Sequence, residues 1–259
     1  MKQEQEQIKA MMPMMLRALR LPTMLKQWEE YAHEGDIKGW GCAKYLAKLV
    51  ENEIAERDTR RIAKHQQESL LPKGKNFATF DFNRIPMINK TQALNLGAGL
   101  SWIEEGSNIL IFGSFGVGKT HLAAAIGTAL IDNGFRVLFK RTNQLVQELL
   151  SAKRDLRLPD ALDKLDKYHC LILDDFGYVK KDNIETTVLF ELISERYEKR
   201  SILLTCNQPF TEWDQIFQDK AMTMASIDRL IHHSVIFDLK EVLSYRKEDA
   251  MKKKSSQKV

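Results

Sequence analysis

Five short apolar runs recur along the later part of the chain, and residues with helical periodicity separate the first four of them. The runs are NILIFG (108–113), RVLFK (136–140), CLILD (170–174), SILLTCN (201–207) and SVIFDL (234–239). Helical patterns cover 90–104, 119–133, 142–152 and 183–199. Runs that are apolar at both odd and even positions read as strands buried on both faces, and a crossover helix between strands makes them pair in parallel. The pattern predicts an α/β core, a parallel sheet with helices on both faces.

The front of the chain reads differently. Met24, Leu25, Trp28, Tyr31 and Ala32 recur at helical spacing, and so do Tyr45, Leu46, Leu49, Val50 and Ile54. At least two amphipathic helices are expected here, in a small all-helical domain spanning 1–75. The helical pattern breaks at Leu71-Pro72-Lys73-Gly74-Lys75, and the aromatic stretch FATFDFNRIP (77–86) leads into the second region, 76–240. A basic tail, 241–259, completes the division.

Charge follows these boundaries. Residues 1–75 hold 14 Lys+Arg against 11 Asp+Glu, 76–239 hold 18 against 21, and 240–259 hold 7 against 3. Basic ends around an acidic middle suit arms that touch polyanions, although such arms can equally be solvated. Arg57, Arg60, Arg61 and Lys64 fall at i, i+3, i+4 and i+7 and share one helix face. A solvated face and a row of phosphate contacts are both open readings of that stripe.

With 44% apolar and 29% charged residues the composition is that of an ordinary globular protein, not a disordered or fibrous one. The start, MKQEQEQIKAMMPMM, lacks the apolar run of a signal peptide, and no stretch of about 18 apolar residues occurs. The expectation is a cytoplasmic protein with no membrane partner. Cys42, Cys170 and Cys206 are widely spaced and read as small buried hydrophobes. His65, His121, His232 and His233 lack metal-ligand spacing with suitable partners.

The segment GSFGVGKT follows the first apolar run and precedes a helix. Gly113, Gly118, Lys119 and Thr120 match GxxxxGK[ST], with Ser114, Phe115, Gly116 and Val117 between them. Glycines let successive N–H groups converge on phosphate oxygens, and the helix beginning at Lys119, with His121 in its first turn, adds the positive end of its dipole. Lys119 is placed for the β and γ phosphates of ATP, and Thr120 for Mg²⁺. A second strand, LILDD, ends in two acids: Asp174 on the metal side, and Asp175 as the candidate general base. Asn207 closes a later strand, where it could orient the attacking water, though Asn-Gln-Pro is also ordinary turn chemistry. Arg229, read as lying after a helix and before the last strand, is the residue type that stabilises a transferring phosphoryl group, often from a neighbouring subunit. A surface arginine is the plain alternative.

Taken together, GKTHLAAAI, LILDDFG, LTCNQPFTEW, SIDRLIHHS and SYR resemble the IstB-like ATP-binding proteins that assist insertion-sequence transposases, a branch of the AAA+ ATPases related to DnaC and DnaA. The match extends to RLPTMLKQWEEYA near the front. The resemblance implies an AAA+ core, ATP at 113–120, a Walker B pair at Asp174 and Asp175, sensor 1 at Asn207 and an arginine finger at Arg229. It further implies ATP hydrolysis, ATP-dependent homo-oligomers on double-stranded DNA, and a transposase partner encoded alongside. DNA contacts would fall on the basic front region and on Lys140, Arg141, Lys153, Arg154 and Arg157, where a solvated face is an equal reading.

This sequence departs from the family in two places. Family P-loops commonly carry prolines where Ser114 and Phe115 stand, which leaves the backbone donors in place. The few residues after the last strand imply a reduced or absent helical lid, with Arg246 an open candidate for a second sensor. A DnaC-like helicase loader would share every nucleotide residue, and an ATP-gated DNA-binding scaffold with little hydrolysis is the third reading. A small-molecule kinase would need a lid arginine and an acceptor pocket, and neither has a signature here.

Overall fold

The computed structural model describes residues 2–99, 101–177, 182–215 and 220–239. Arg246 and the basic tail lie outside the described residues. The chain divides into two compact units, Met1–Lys64 and His65–Val259.

The first unit holds three helices: α1 (Lys2–Ala18), α2 (Pro22–Lys38) and the beginning of α3 (Cys42–Glu68). Its small core gathers Leu16, Met24, Trp28 and Leu49, with Met12, Leu21, Leu25, Tyr31 and Tyr45 packed around them. Leu46, Val50 and Ile54, from the same periodic set, stay exposed. Pro22 starts α2 with its φ preset for a helix, and Gly39 ends it at φ +62°. Leu21, at the N-cap, has no side chain able to cap. The buried carboxylate of Glu53 on α3 substitutes, accepting from the N–H groups of Thr23 (2.8 Å) and Met24 (2.9 Å).

The second unit begins inside α3, at His65, where the sequence reading puts the boundary near 75. Residues after Lys64 pack with the sheet: the carbonyl of Ser69 accepts from the N–H of Phe139 at 2.7 Å. Five strands, β1 (Asn108–Phe112), β2 (Val137–Arg141), β3 (Cys170–Asp174), β4 (Ser201–Cys206) and β5 (Ser234–Asp238), lie in the order β2-β3-β4-β1-β5, with every pairing parallel. Helices α4 (Lys90–Ala98), α5 (Lys119–Asp132), α6 (Thr142–Arg154), α7 (Leu158–Asp166), α8 (Asn183–Arg196) and α9 (Lys220–Ile231) complete the unit.

Strand residues alternate between two packed faces. Leu110, Phe112, Leu138, Leu171, Leu173, Ile202 and Leu204 join a core with side chains of α6, α8 and α9. Ile172, between two of these, faces α5, where Gly127 leaves room for its Cδ1. Each such side chain, wholly withdrawn from water, contributes roughly 1.5–3 kcal/mol before the ordering cost. That is why five-residue strands suffice.

Three sequence expectations change here. The helix expected over 90–104 stops at Ala98, because Gly99 takes φ +75°. Arg229 lies within α9, in its last turn, and not after a helix. Cys170 and Cys206 are buried, and burial pushes the Cys170 thiol up to about 12, but Cys42 is exposed at the start of α3. Among the described residues no helix is long and apolar enough to cross a membrane.

Candidate functional site

The residues singled out by the motifs converge at the C-terminal ends of three adjacent strands. Gly113 follows β1, Asp174 ends β3, and Asn207 follows β4, which runs between them. The pairing of Phe112 with Cys206 and the bond from the Gly113 N–H to the Cys206 carbonyl (3.2 Å) set half-buried Asn207 level with the first residue of the loop. Ligands of parallel α/β sheets bind at this edge because the loops and helix N-termini that follow the strands open there.

The loop's shape depends on its glycines. A Cβ at Gly113 would come within 2.8 Å of the Cβ of Leu239, just beyond β5. Gly118, at φ +103°, is the N-cap of α5 and supplies no side-chain cap, so the first N–H groups of α5 are left to face the loop's hollow. Lys119 is buried, and its Nζ donates to the carbonyls of Gly113 (2.7 Å) and Ser114 (2.9 Å), clasping the loop from inside. Val117 is buried beneath, while Ser114 and Phe115 point outward and Gly116 is half-buried. The outward position of Ser114 and Phe115 explains why neither needs to be proline for the cradle to form.

Asp174 is buried, and its Oδ1 accepts from Thr120 Oγ1 at 2.9 Å and from Thr205 Oγ1 at 2.7 Å. Its backbone carbonyl accepts from Thr142 Oγ1, also at 2.9 Å. Thr205 accepts in turn from the N–H of Asp175 (3.0 Å), which has a left-handed φ of +57°. One hydroxyl on the intervening strand therefore holds both acids. Sequence reasoning missed Thr205, because a threonine inside an apolar strand carries no motif. A hydroxyl and a carboxylate side by side form a hard oxygen pair, the donor set suited to Mg²⁺.

His121 is in the first turn of α5, edge-on to Phe80 with ring centroids 5.3 Å apart, its Nε2 3.1 Å from Thr79 Oγ1. Burial lowers its pKa, opposed by a hydrogen bond to the backbone carbonyl of Asn76 and helped by the charge of Lys75. The aromatic stretch before the core thus packs against the outer side of the loop.

Arg229 lies elsewhere. Its backbone carbonyl faces the side chain of Asn108, the first residue of β1. Its guanidinium stacks 5.2 Å from the ring of Phe190 and 6.0 Å from that of Tyr197, and donates to the carbonyl of Ala225. A strand of five residues separates the two edges by roughly 16 Å. Arg229 does not join the loop of its own chain.

The basic candidates have local partners. Arg57 donates to Glu53 (3.2 Å) and to the carbonyl of Arg20 (2.6 Å), Arg60 donates to Thr23 Oγ1 (2.9 Å), and Arg61 pairs with Asp58 (3.1 Å). Lys64 is exposed. Lys140 pairs with Glu148, Lys153 with Glu191 and Arg157 with Asp155, whereas Arg141 and Arg154 are exposed.

A family model described as IstB-like ATP binding protein matches residues 14–255. An insertion sequence ATP-binding protein of Sinorhizobium fredii is 53% identical over 245 residues, which cover 95% of this chain and 82% of that protein. The insertion sequence IS21 ATP-binding protein of Pseudomonas aeruginosa is 34% identical over 238 residues, 92% of this chain and 89% of that one. Among solved structures, the DnaC helicase loader matches with a TM-score of 0.55 at 21% identity, over 65% of this chain and 98% of that chain. AMPPCP-bound DnaA from Aquifex aeolicus matches with a TM-score of 0.56 at 16% identity, over 73% and 57%. These two likenesses show a fold shared with DnaC and DnaA, and the sequence relatives, which match along nearly the whole chain, establish more: the chain belongs to the family of IstB-like ATP binding proteins.

Proposed function

We propose that this protein is an ATP-dependent helper of DNA transposition. It binds ATP with Mg²⁺, assembles with copies of itself on double-stranded DNA, deforms the duplex, and recruits or stimulates the transposase encoded alongside. The observation that carries the nucleotide part is the junction of Thr120, Asp174 and Thr205 beside the loop clasped by Lys119. The insertion-sequence relatives support the transposition part.

In this reading the N–H groups of 113–120 hold the phosphates and Lys119 offsets their charge. Thr120 and Asp174 would hold Mg²⁺, which would supply positive charge to offset that of the phosphates. Asp175 accepts a proton from the attacking water, and Asn207, beside the loop, orients that water. The remaining part is a cation at the phosphoryl group. Arg229, at the far edge of its own sheet, fits that part only when supplied to a neighbouring subunit, so hydrolysis depends on assembly.

The test is sizing of the purified protein with a duplex of several helical turns and with single-stranded DNA, each with and without ATP and Mg²⁺. A large complex on duplex only with ATP is the expected result. Preference for single strands would replace this reading with that of a helicase loader, and assembly without turnover would reduce it to an ATP-gated scaffold.

A further inference from the structure

On the sheet edge opposite the nucleotide loop, two turns bring three potential metal ligands together. Glu198 lies in the turn between α8 and β4, and His232 and His233 lie between α9 and β5. One ligand atom from each falls within 4.8 Å of the others. Spacing along the chain hides this group, because Glu198 is 34 residues before His232 and comes near it only through the parallel pairing of β4, β1 and β5.

We propose that Glu198, His232 and His233 form a binding site for a divalent transition metal of the zinc class, one that clamps the α8–β4 turn to the α9–β5 turn. Two imidazoles and one carboxylate are a donor set that zinc takes, with solvent completing the coordination. On a tetrahedral ion, donors at roughly 2.0–2.1 Å stand about 3.3 Å apart. The cluster must therefore contract slightly. Its side chains are free enough to do so, since those of Glu198 and His232 are 56% and 48% exposed.

The backbones beneath them are held. The N–H of His232 donates to the carbonyl of Asp228 in α9, and the carbonyl of His233 accepts from the N–H of Asn108 at the start of β1. Glu198 and His233 both adopt left-handed φ, +56° and +55°, which turns their side chains out of the run of the chain. A second feature points to a ligand. Tyr197 Oη lies 2.8 Å from Nδ1 of His232, which Glu198 Oε1 approaches to 3.7 Å; with the tyrosine oxygen fixing the tautomer at Nδ1, a turn of the exposed Glu198 side chain would bring its carboxylate to an ion held at Nε2. The same tyrosine ring lies under Arg229, so the clamp would steady the base on which that arginine rests.

The experiment uses untagged, nucleotide-free full chain carrying Cys42→Ser, to remove the exposed thiol, with Mg²⁺ in large excess to saturate the hydroxyl–carboxylate pair. Co²⁺ is titrated by its visible absorption and then displaced by Zn²⁺. About one Co²⁺ per chain is expected, with His232→Ala and His233→Ala each weakening binding by about tenfold or more, and Tyr197→Phe by about tenfold. Glu198→Gln keeps the side-chain shape and is expected to weaken binding severalfold. Absence of stoichiometric binding to the folded protein would overturn the proposal, as would unchanged binding in the His232→Gln/His233→Gln double variant, whose exposed substitutions leave the core intact.

Discussion

Thr205 donates to Oδ1 of Asp174 across 2.7 Å from β4, the strand that keeps β3 apart from the nucleotide loop. Because Asp174 is also reached by Thr120 from α5, the two hydroxyls bracket one carboxylate oxygen and define where it points. Thr205→Val keeps the branched shape but removes the buried donor. It is expected to destabilise the protein by about 2 kcal/mol, the scale of a buried hydrogen bond to a charged group. Magnesium-dependent ATP turnover should fall further than stability alone explains, since Asp175 loses its backbone anchor as well. Urea unfolding and an ATPase assay on the same variant separate the two effects.

Lys119 and Arg229 sit at opposite edges of the sheet, so their removal should have different signatures. Lys119→Ala is expected to abolish ATP binding or its productive geometry in the isolated chain. Arg229→Ala should spare nucleotide affinity and lower hydrolysis only in the assembled form. Equal loss of affinity in both variants, measured with a fluorescent nucleotide, would exclude an arginine acting on a neighbour.

Glu53 predicts that part of the basic stripe is architectural. Its carboxylate caps α2 and is gripped by Arg57, which also binds the carbonyl of Arg20. Glu53→Ala should destabilise the helical unit by about 1–2 kcal/mol, as a lost cap does. Arg57→Ala and Lys64→Ala each remove one cation of the stripe, and Arg57→Ala should also lower the melting temperature. If the stripe contacts phosphates, each loss lowers DNA affinity uniformly across sequences and reduces its salt dependence by about one ion.

His169 links stability to pH. Its Nδ1 accepts the N–H of Arg136 at 2.9 Å, which requires the neutral ring. Burial lowers its pKa below 6.5, and the charges of Arg200 and Arg136 lower it further. With the folded value depressed, the unfolded chain takes up the proton first as pH falls. Stability is therefore full above about 6.5 and is lost as pH drops through the window between the unfolded and folded values. His169→Asn keeps an acceptor near the Nδ1 position and does not titrate. It should flatten the fall in melting temperature between neutral pH and about pH 5.

The five strands, helices α5, α6 and α8 and the glycine loop at 113–120 were legible because each is a local pattern. Apolar runs such as CLILD are too dense for a half-buried strand, and GSFGVGKT carries its own turn chemistry and helix start. Helix α7 was not anticipated, and α4 was drawn too long, because a single left-handed residue such as Gly99 ends a helix irrespective of periodicity.

By itself the sequence determined the parallel α/β core, the loop that suits phosphates and the family to which the chain belongs. Those depend on residue type and on spacing within a few turns of backbone. Only the tertiary structure decided the strand order, and with it the insertion of β4 that makes Thr205 the partner of Asp174. It also decided that Arg57 and Arg60 bind within their own unit, that Arg229 stacks far from its own loop, and that Glu198 meets His232 and His233. Such contacts join residues tens of positions apart, and no local propensity encodes a distance that the packing of a whole sheet must set.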